Sequence, residues 1–218
     1  RLKFVYDGAT HSNSNFKVDG LINDDELTAT VGGSITYPDE GTVTNKITNY
    51  EFTTGKACNY NITTIDGELT MEKAAKAMTI TAASNKWTYD GQAHSDNSVS
   101  ITSGELFIGD QLSAQAEGSV TNVNDTEEGN NVVKDDYVIM HNNVDVTDNY
   151  VVTTEAGTLT IDKAEAVIKT EPVANDLEET GEKQALIQAG STDDGSMMYA
   201  LGTDEQTVPT EDKWSDGI

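Results

Sequence analysis

The chain has 218 residues and carries 38 acidic against 13 basic side chains, for a formal net charge of −25. This charge argues against nucleic-acid binding, because phosphate recognition needs a basic surface, and against direct docking on anionic lipid. Only 36% of the residues are hydrophobic and 6% aromatic, which favours several small cores over one large core. No apolar run approaches the roughly 20 residues that span a bilayer, so we expect no direct membrane insertion of this segment.

In chain order, the first recognisable motif is a turn that the chain uses twice. Tyr6–Ser12 (YDGATHS) recurs 83 positions later as Tyr89–Ser95 (YDGQAHS). Leu27–Ser34 (LTATVGGS) then recurs 85 positions later as Leu112–Ser119 (LSAQAEGS). Repetition in the same order indicates an array of similar modules.

The end of each module is repeated at a slightly larger distance. Asn59–Thr64 (NYNITT) recurs 90 positions later as Asn149–Thr154 (NYVVTT), and the closing GELTMEKA, from residue 67, recurs at the same distance as GTLTIDKA. The distance grows between residues 119 and 149 of the second copy. Surface loops tolerate added length at little entropic cost, so we interpret the extra residues as a loop insertion between fixed strands.

Alternation of apolar and polar residues predicts strands at these motifs. The closing segments place Leu69 with Met71, and Leu159 with Ile161, on one face, which is typical of half-buried strands. The NY segments predict a preceding strand, and the Asp-Gly or Ala-Gly pair between the two predicts a tight hairpin turn. Further strands are expected at Glu26–Val31, Asn97–Thr102 and Tyr137–Met140, whereas Met71–Met78 is expected to be a strand end plus a linker.

Lead-in segments set the predicted domain boundaries. Met78–Ala83 (MTITAA) precedes the second YDG turn, and Ala166–Ala174 (AVIKTEPVA) looks like the lead-in of a third module. We therefore predict a first module at residues 1–75 that lacks its opening strand, a complete module at 76–164, and a truncated module at 165–218. The chain would then be a segment of a longer array, with targeting and anchoring segments outside it.

The order of these motifs resembles the YDG/MBG-type tandem repeats of bacterial cell-surface proteins and adhesins. The resemblance covers about residues 1–164 and rests on the YDG turn, a Gly- and Asp-containing segment before a leucine, a Gly-Ser strand, an NY strand and the closing G-x-L-T motif. It implies an extracellular, cell-wall-associated, non-catalytic protein that is a monomer within a multi-module chain. The fold we expect is all-β, with small immunoglobulin-like sandwiches in an elongated array. A β-grasp-like module is the alternative, and a helix packed across one sheet would favour it.

Two sets of residues have the types needed for a nucleophilic triad: Asp7, His11 and Ser12, and their equivalents Asp90, His94 and Ser95. A triad needs its base between the nucleophile and the orienting acid, usually on separate elements, and a six-residue turn is poorly suited to that geometry. We therefore interpret these residues as fold determinants, with the tyrosine packed on the core, and we assign no catalytic residue.

Acidic clusters supply oxygen ligands that suit Ca²⁺, but none has the spacing of an EF-hand loop. They are Asn23–Glu26, Asn124–Glu128, Asp135 with Asp136, and Asp193 with Asp194. We interpret them as solvated loops and expect no cofactor, with Ca²⁺ as the alternative. Zinc is disfavoured, because the three histidines and one cysteine lack ligand spacing.

The remaining reactive side chains are Cys58 and two lysines. Cys58 is the only cysteine, so no intramolecular disulfide can form, and it aligns with Asp148 just before a predicted strand. Lys–Asn cross-links occur in surface modules that look similar, and Lys3 and Lys86 are the candidates for one here. No acidic catalyst can be assigned to either lysine.

Three functions fit this sequence. The favoured one is a stalk that holds a binding domain away from the cell wall, because the copies share turn and core residues while their loops diverge. The second is adhesion of the modules to host glycan, mucin or a matrix protein. The third is an accessory module of a large secreted hydrolase.

Overall fold

The computed structural model describes residues 1–193, 195–204 and 206–216, and this part of the chain is all-β. Its only helical segments are short 3-10 turns, at Pro38–Glu40, Ala57–Asn59, Val123–Asp125, Thr147–Asn149 and Glu211–Lys213. None of the described helical segments has the length and apolar character needed to cross a membrane. The chain divides into two compact units, Arg1–Asp162 and Lys163–Ile218.

The first repeat contains six strands, β1 (Leu2–Val5), β2 (His11–Ser12), β3 (Glu26–Gly32), β4 (Ser34–Ile35), β5 (Thr42–Thr54) and β6 (Gly67–Glu72). The main sheet has the order β1-β6-β5-β3, in which β1 is parallel to β6 and the other pairs are antiparallel. Strands β2 and β4 form a separate antiparallel pair. The first and last strands of the repeat therefore lie side by side and run in the same direction.

The second repeat contains ten strands, β7 (Lys76–Ala82), β8 (Asn85–Thr88), β9 (Val99–Ser103), β10 (Asp110–Ser113), β11 (Ala116–Glu117), β12 (Val132–Val133), β13 (Val138–His141), β14 (Val144–Asp145), β15 (Tyr150–Glu155) and β16 (Leu159–Asp162). Strand β8 is parallel to β16 in the register of β1 with β6, since Trp87 faces Ile161 as Phe4 faces Met71. The lead-in strand β7 lies between β15, parallel to it, and β9, antiparallel to it.

The predicted closing hairpin is wrong in both repeats. Strands β15 and β16 do not pair with each other. Instead β15 pairs in parallel with β7 and β16 pairs in parallel with β8, and both pairs keep the same register, with Thr81 opposite Glu155 and Asn85 opposite Leu159. Gly157 lies between them without reversing the chain. Glycine is required there for a different reason, because a Cβ atom would lie 2.1 Å from the carbonyl oxygen of Ala83.

The predicted NY strand forms in the second repeat only. Tyr150–Glu155 is β15, whereas residues 60–66 of the first repeat belong to no strand. The difference follows from pairing: β15 has the edge of β7 beside it, and no strand of the described chain lies beside residues 60–66. A strand-like sequence needs a partner backbone before it becomes a strand.

The predicted inward faces of the closing strands are confirmed. Leu69 is 1% exposed, Met71 6%, Leu159 0% and Ile161 2%. The other predicted strands are also confirmed, as β3, β9 and β13, and so is the linker, because β6 ends at Glu72 and β7 begins at Lys76. Trp87 and Phe4 pack, half-buried, against the cores of their own repeats.

The described residues of the unit Lys163–Ile218 form four short strands, β17 (Ile168–Thr170), β18 (Val173–Ala174), β19 (Ile187–Gln188) and β20 (Ser191–Thr192). Strand β17 pairs with β20 and β18 with β19, both antiparallel. The predicted lead-in at residues 166–174 thus forms two strands rather than one, and all of their residues are exposed.

Candidate functional site

The YDG turns are built around an aspartate and a histidine. In the first repeat Asp7 Oδ1 accepts a hydrogen bond from the backbone N–H of Ala9, and His11 Nε2 lies 2.8 Å from the same oxygen. The His11 ring stacks on Phe4 with a centroid distance of 4.6 Å. Asp7 and His11 thus hold the turn against β1, whereas Ser12 pairs with Ser34.

The second YDG turn repeats this geometry. Asp90 Oδ1 accepts from the backbone N–H of Gln92 and lies 2.9 Å from His94 Nε2, and the His94 ring stacks on Trp87 at 4.9 Å. The hydrogen bond from Gln92, followed by that from His94, lowers the pKa of Asp90 below its usual value. Ser95 lies outside the strands and joins neither the aspartate nor the histidine in the described structure. Asp90 and His94 thus contact each other in the second turn as Asp7 and His11 do in the first.

The two turns differ in one respect, the environment of their tyrosines. Tyr6 is 1% exposed, whereas its equivalent Tyr89 is 44% exposed, so the prediction that both pack on the core holds for Tyr6 alone. Tyr6 is buried because the second repeat covers it. Its hydroxyl donates a hydrogen bond of 2.7 Å to Asp110, 104 positions away.

Asp110 is the centre of a buried polar network between the repeats. Its side chain is fully buried, and His141, which faces it across the β10–β13 pair, is 8% exposed at the side chain. His141 Nδ1 lies 2.6 Å from the oxygen that accepts from Tyr6, and the Tyr150 hydroxyl donates to the other carboxylate oxygen at 2.6 Å. Tyr37 donates to the backbone oxygen of His141 at 3.4 Å. We call Tyr6, Asp110, His141 and Tyr150 the junction network.

The protonation states in the junction network favour a structural role, in which its hydrogen bonds hold the two repeats together. Burial, and then hydrogen bonding to Asp110, raises the pKa of Tyr6 and of Tyr150 well above the usual value of 10. Both hydroxyls therefore stay protonated at neutral pH and act as donors to the buried carboxylate. A buried carboxylate with three donors within 2.7 Å is the fully hydrogen-bonded arrangement that the protein interior requires.

Sequence analysis missed this network, although a signal for part of it was present. The first repeat has the equivalent pair, in which the Tyr60 hydroxyl donates to Asp25 at 2.6 Å. Because Asp25 precedes Asp110 by 85 positions and Tyr60 precedes Tyr150 by 90, both residues recur at the repeat distances. The contribution of Tyr6 carries no local signal, because it depends on how one repeat meets the next.

The second structural feature found in both repeats is a buried asparagine. Asn131 is 0% exposed and donates from Nδ2 to the backbone oxygens of Ala83 and Asp96, at 2.8 and 2.9 Å. Asn45, in the equivalent position of the first repeat, is 6% exposed and donates to the backbone oxygen of Asn13 at 2.8 Å. Among the described residues, Asn45 makes no hydrogen bond that corresponds to the one between Asn131 and Ala83 of the lead-in segment.

An open groove lies in the first repeat, at the position that β7 fills in the second. It has a volume of about 280 Å³ and is flanked by residues 16–19 on one side and 61–65 on the other, with Leu27, Ala29 and Ile47 among its lining side chains. Residues 16–19 are the equivalents of β9, and residues 61–65 those of β15. The two flanks of the groove thus correspond to the two strands that hold β7.

The acidic clusters were the candidate calcium ligands. No group of three or more His, Cys, Asp or Glu side chains that could hold a metal ion occurs in residues 1–193, 195–204 and 206–216. Asp125 caps its own 3-10 turn by accepting from the backbone N–H groups of Thr121 and Asn122. Asp194, of the fourth acidic cluster, lies outside the described residues.

Cys58 is exposed in a 3-10 turn, as its equivalent Asp148 is, although the strand predicted to follow Cys58 does not form. Lys3 and Lys86 form equivalent ion pairs, with Glu72 and Asp162 respectively. Both pairs lie across the parallel β1–β6 and β8–β16 ladders, and neither involves an asparagine.

The chain matches no known family model, and searches of curated proteins and of solved structures returned no match.

Proposed function

We propose that residues 1–162 are non-catalytic modules of a bacterial surface protein that act as a stiff stalk, outside the cell, and present a binding domain. The observation that carries this proposal is the Tyr6–Asp110 hydrogen bond, which locks the YDG end of one repeat onto the start of the next. A spacer needs a fixed angle between modules more than it needs a pocket. The proposal also uses the resemblance to YDG/MBG-type repeats.

Further contacts restrict rotation at the junction. Only residues 73–75 connect β6 to β7. Lys73 pairs with Asp148 of the second repeat, and the backbone N–H of Ala74 donates to Asn149 Oδ1 at 3.4 Å. A Cβ atom on Gly8 would lie 2.4 Å from the Ile108 carbonyl oxygen, so the YDG turn contacts the second repeat closely. These contacts favour two modules that move as one body.

The same contacts give the stalk a direction. In the first repeat, β1 and β6 both run toward the YDG turn, which lies at the junction. In the second repeat, β7 begins at the junction, and the chain continues through β8 to the second YDG turn at the opposite end. The apolar core continues across the junction, since Tyr6, Leu69 and Met71 belong to one cluster with Met78 and Ile139. Head-to-tail stacking with a shared core is how repeat proteins build an extended body.

For the modules themselves we propose small β-sandwiches of the immunoglobulin-like kind. Many short strands distributed over several small sheets support this architecture. The β-grasp-like alternative would be favoured by an α-helix packed across a sheet, and the described residues contain no α-helix.

The stiffness can be measured between two spin labels, one in each repeat. Cys58 is exposed and is the only native cysteine, so it can be labelled directly, and Glu127→Cys supplies a second site on an exposed loop. We expect one narrow distance distribution that does not change with salt, because the junction network is buried. A broad distribution in the unmodified junction would contradict the stalk.

Binding assays separate the stalk from the adhesive alternative. A glycan array and a mucin-binding assay on the whole chain should give no specific signal if the modules are spacers. Saturable binding to either would favour adhesion by the modules. An accessory role beside a hydrolase would be tested by the sequence of the neighbouring part of the protein.

A further inference from the structure

We propose that the parallel strand pairs of the second repeat form a mechanical clamp, which resists tension applied along the chain. One side of the clamp consists of the lead-in strands β7 and β8, and the other side consists of the closing strands β15 and β16. The use of the clamp rests on the proposed function, since a stalk transmits the pull on the binding domain that it presents. Its geometry is a property of the second repeat alone.

The chain enters and leaves the second repeat at opposite ends of one ladder. It enters at Lys76, the first residue of β7, and leaves at Asp162, the last residue of β16. Strand β7 is parallel to β15 and β8 is parallel to β16, so the two sides of the ladder run in the same direction from entry to exit. Tension along the chain therefore pulls the two sides past each other rather than apart.

A pull in this direction loads many hydrogen bonds at once. The ladder has six aligned residue pairs between β7 and β15 and four between β8 and β16. Hydrogen bonds in a parallel ladder are evenly spaced along the strands, so each of them carries part of the tension. Forced unfolding follows the unfolding rate, and a step that must break several bonds together is slower than one that breaks them in turn.

The two halves of the ladder act as one because they are joined without a change of register. Ser84 lies between β7 and β8, and its hydroxyl accepts a hydrogen bond of 2.9 Å from the backbone N–H of Thr158. Beyond the end of β8, the backbone N–H of Tyr89 donates to the carbonyl oxygen of Asp162 at 2.8 Å. The bonds between the two sides thus continue from the start of β7 to the YDG turn.

Asn131 fastens the interruption between the two halves of the ladder. Its backbone exchanges two hydrogen bonds with Gly157, which lies between β15 and β16, at 2.8 and 3.1 Å. Its side-chain Nδ2 donates to the backbone oxygen of Ala83, which lies between β7 and β8, at 2.8 Å. One buried residue is thus bonded to both sides of the clamp at the place where the strands are interrupted.

The inner face of the ladder is closed to water. Met78 and Ile80 of β7 are 2% and 0% exposed, and Leu159 of β16 is 0% exposed. A hydrogen bond in such surroundings is stronger than one in water, and the groups that it joins find no new partner when it breaks. Burial therefore strengthens the clamp against tension.

The test pulls on single molecules of the whole chain in two directions. One handle is attached to the native, exposed Cys58 in both cases. The second handle is attached either at Lys163→Cys, directly after β16, or at Asp148→Cys, shortly before β15, and both positions are exposed. Pulling at 163 slides the two sides of the clamp past each other. Pulling at 148 separates the start of β15 from the start of β7, so the bonds open in turn.

At equal force, we expect the second repeat to stay folded at least about tenfold longer when it is pulled at 163 than when it is pulled at 148, a factor that corresponds to one or two additional hydrogen bonds broken in the same step. The released length identifies the second repeat, because only residues 59–75 of the first repeat lie between the handle and β7. Equal lifetimes in the two directions would overturn the clamp.

Asn131→Ala tests the residue that fastens the ladder. It should shorten the lifetime at least about fivefold when the chain is pulled at 163, since one buried hydrogen bond across the clamp is lost. The lifetime at 148 should be nearly unchanged, because that pull begins at the far end of the ladder. Asn45→Ala removes the equivalent asparagine of the first repeat, outside the pulled segment, and is the matched control. Equal shortening in both directions would make Asn131 a general stabiliser and overturn its role in the clamp.

Failure of the clamp and failure of the stalk give different results. A broad distribution of distances between the two spin labels would contradict the stalk and leave the clamp intact, because the clamp lies within one repeat. Equal lifetimes at 163 and 148 with a narrow distance distribution would overturn the clamp and leave a stiff stalk. The comparison of the two pulling directions needs only exposed substitutions, so it decides the proposal even where Asn131→Ala does not fold.

Discussion

Removing the Tyr6 hydroxyl tests the junction between the repeats. The hydroxyl donates to the fully buried Asp110 at 2.7 Å, so Tyr6→Phe deletes one of three hydrogen bonds to a buried carboxylate without opening a large cavity. Hydrogen bonds to charged groups contribute about 1.5–3 kcal/mol. We expect the free energy of unfolding of the unit Arg1–Asp162 to fall by about that amount. Urea unfolding, followed by the fluorescence of Trp87, measures it.

The chain offers a matched control for this change. Tyr89→Phe removes the same hydroxyl from the equivalent YDG turn, where the side chain is 44% exposed. Exposed substitutions away from such contacts stay within about 0.5 kcal/mol, so the control should be close to neutral. Equal losses for Tyr6→Phe and Tyr89→Phe would refute the assignment of the junction network, because they would mean that the hydroxyl acts inside its own turn.

Three further changes test the pH response, the core and the lead-in strand. Because the pKa values of Tyr6 and Tyr150 are raised in the folded protein, their contribution to the free energy of unfolding is fully present below about pH 10. As the pH rises further the unfolded chain loses these protons first, so stability should fall by about 1.4 kcal/mol per pH unit for each tyrosine. Urea midpoints measured against pH would contradict this if they were flat above pH 10. Leu159→Ala should cost about 2–5 kcal/mol in calorimetry, and a cost under about 0.5 kcal/mol would mean that the wrong face was assigned. Gly157→Ala forces a Cβ to 2.1 Å from a backbone oxygen and should cost at least about 1–3 kcal/mol. At the equivalent Gly67 the atom nearest to an added Cβ is 3.5 Å away, an ordinary contact distance, so Gly67→Ala should be tolerated. Equal costs at the two glycines by urea unfolding would contradict the assignment of the close backbone contact to Gly157.

Local patterns in the sequence were sufficient for the closing strands and their inward faces, for β3, β9 and β13, and for the repeat. Leu69 and Met71, like Leu159 and Ile161, alternate with polar residues because one face of a strand is buried and the other is wet. The Asp-His pairing at each YDG turn is also local, since Asp7 and His11 are four positions apart. Such features depend on residues close in sequence, and each of them occurs twice in this chain.

Only the tertiary structure decided what each strand pairs with. The NY segments are nearly the same in both repeats, yet Tyr150–Glu155 is a strand and residues 60–66 are not, because β7 lies beside the first and no described strand lies beside the second. Gly157 was predicted to turn the chain, but its role is to admit a neighbouring backbone. Tyr6 and Tyr89 have the same local sequence, yet Tyr6 is 1% exposed and Tyr89 44%, because residues of the second repeat cover Tyr6. Strand pairing and burial are set by groups far apart in the chain, so two copies of one motif reach different structures when their neighbours differ.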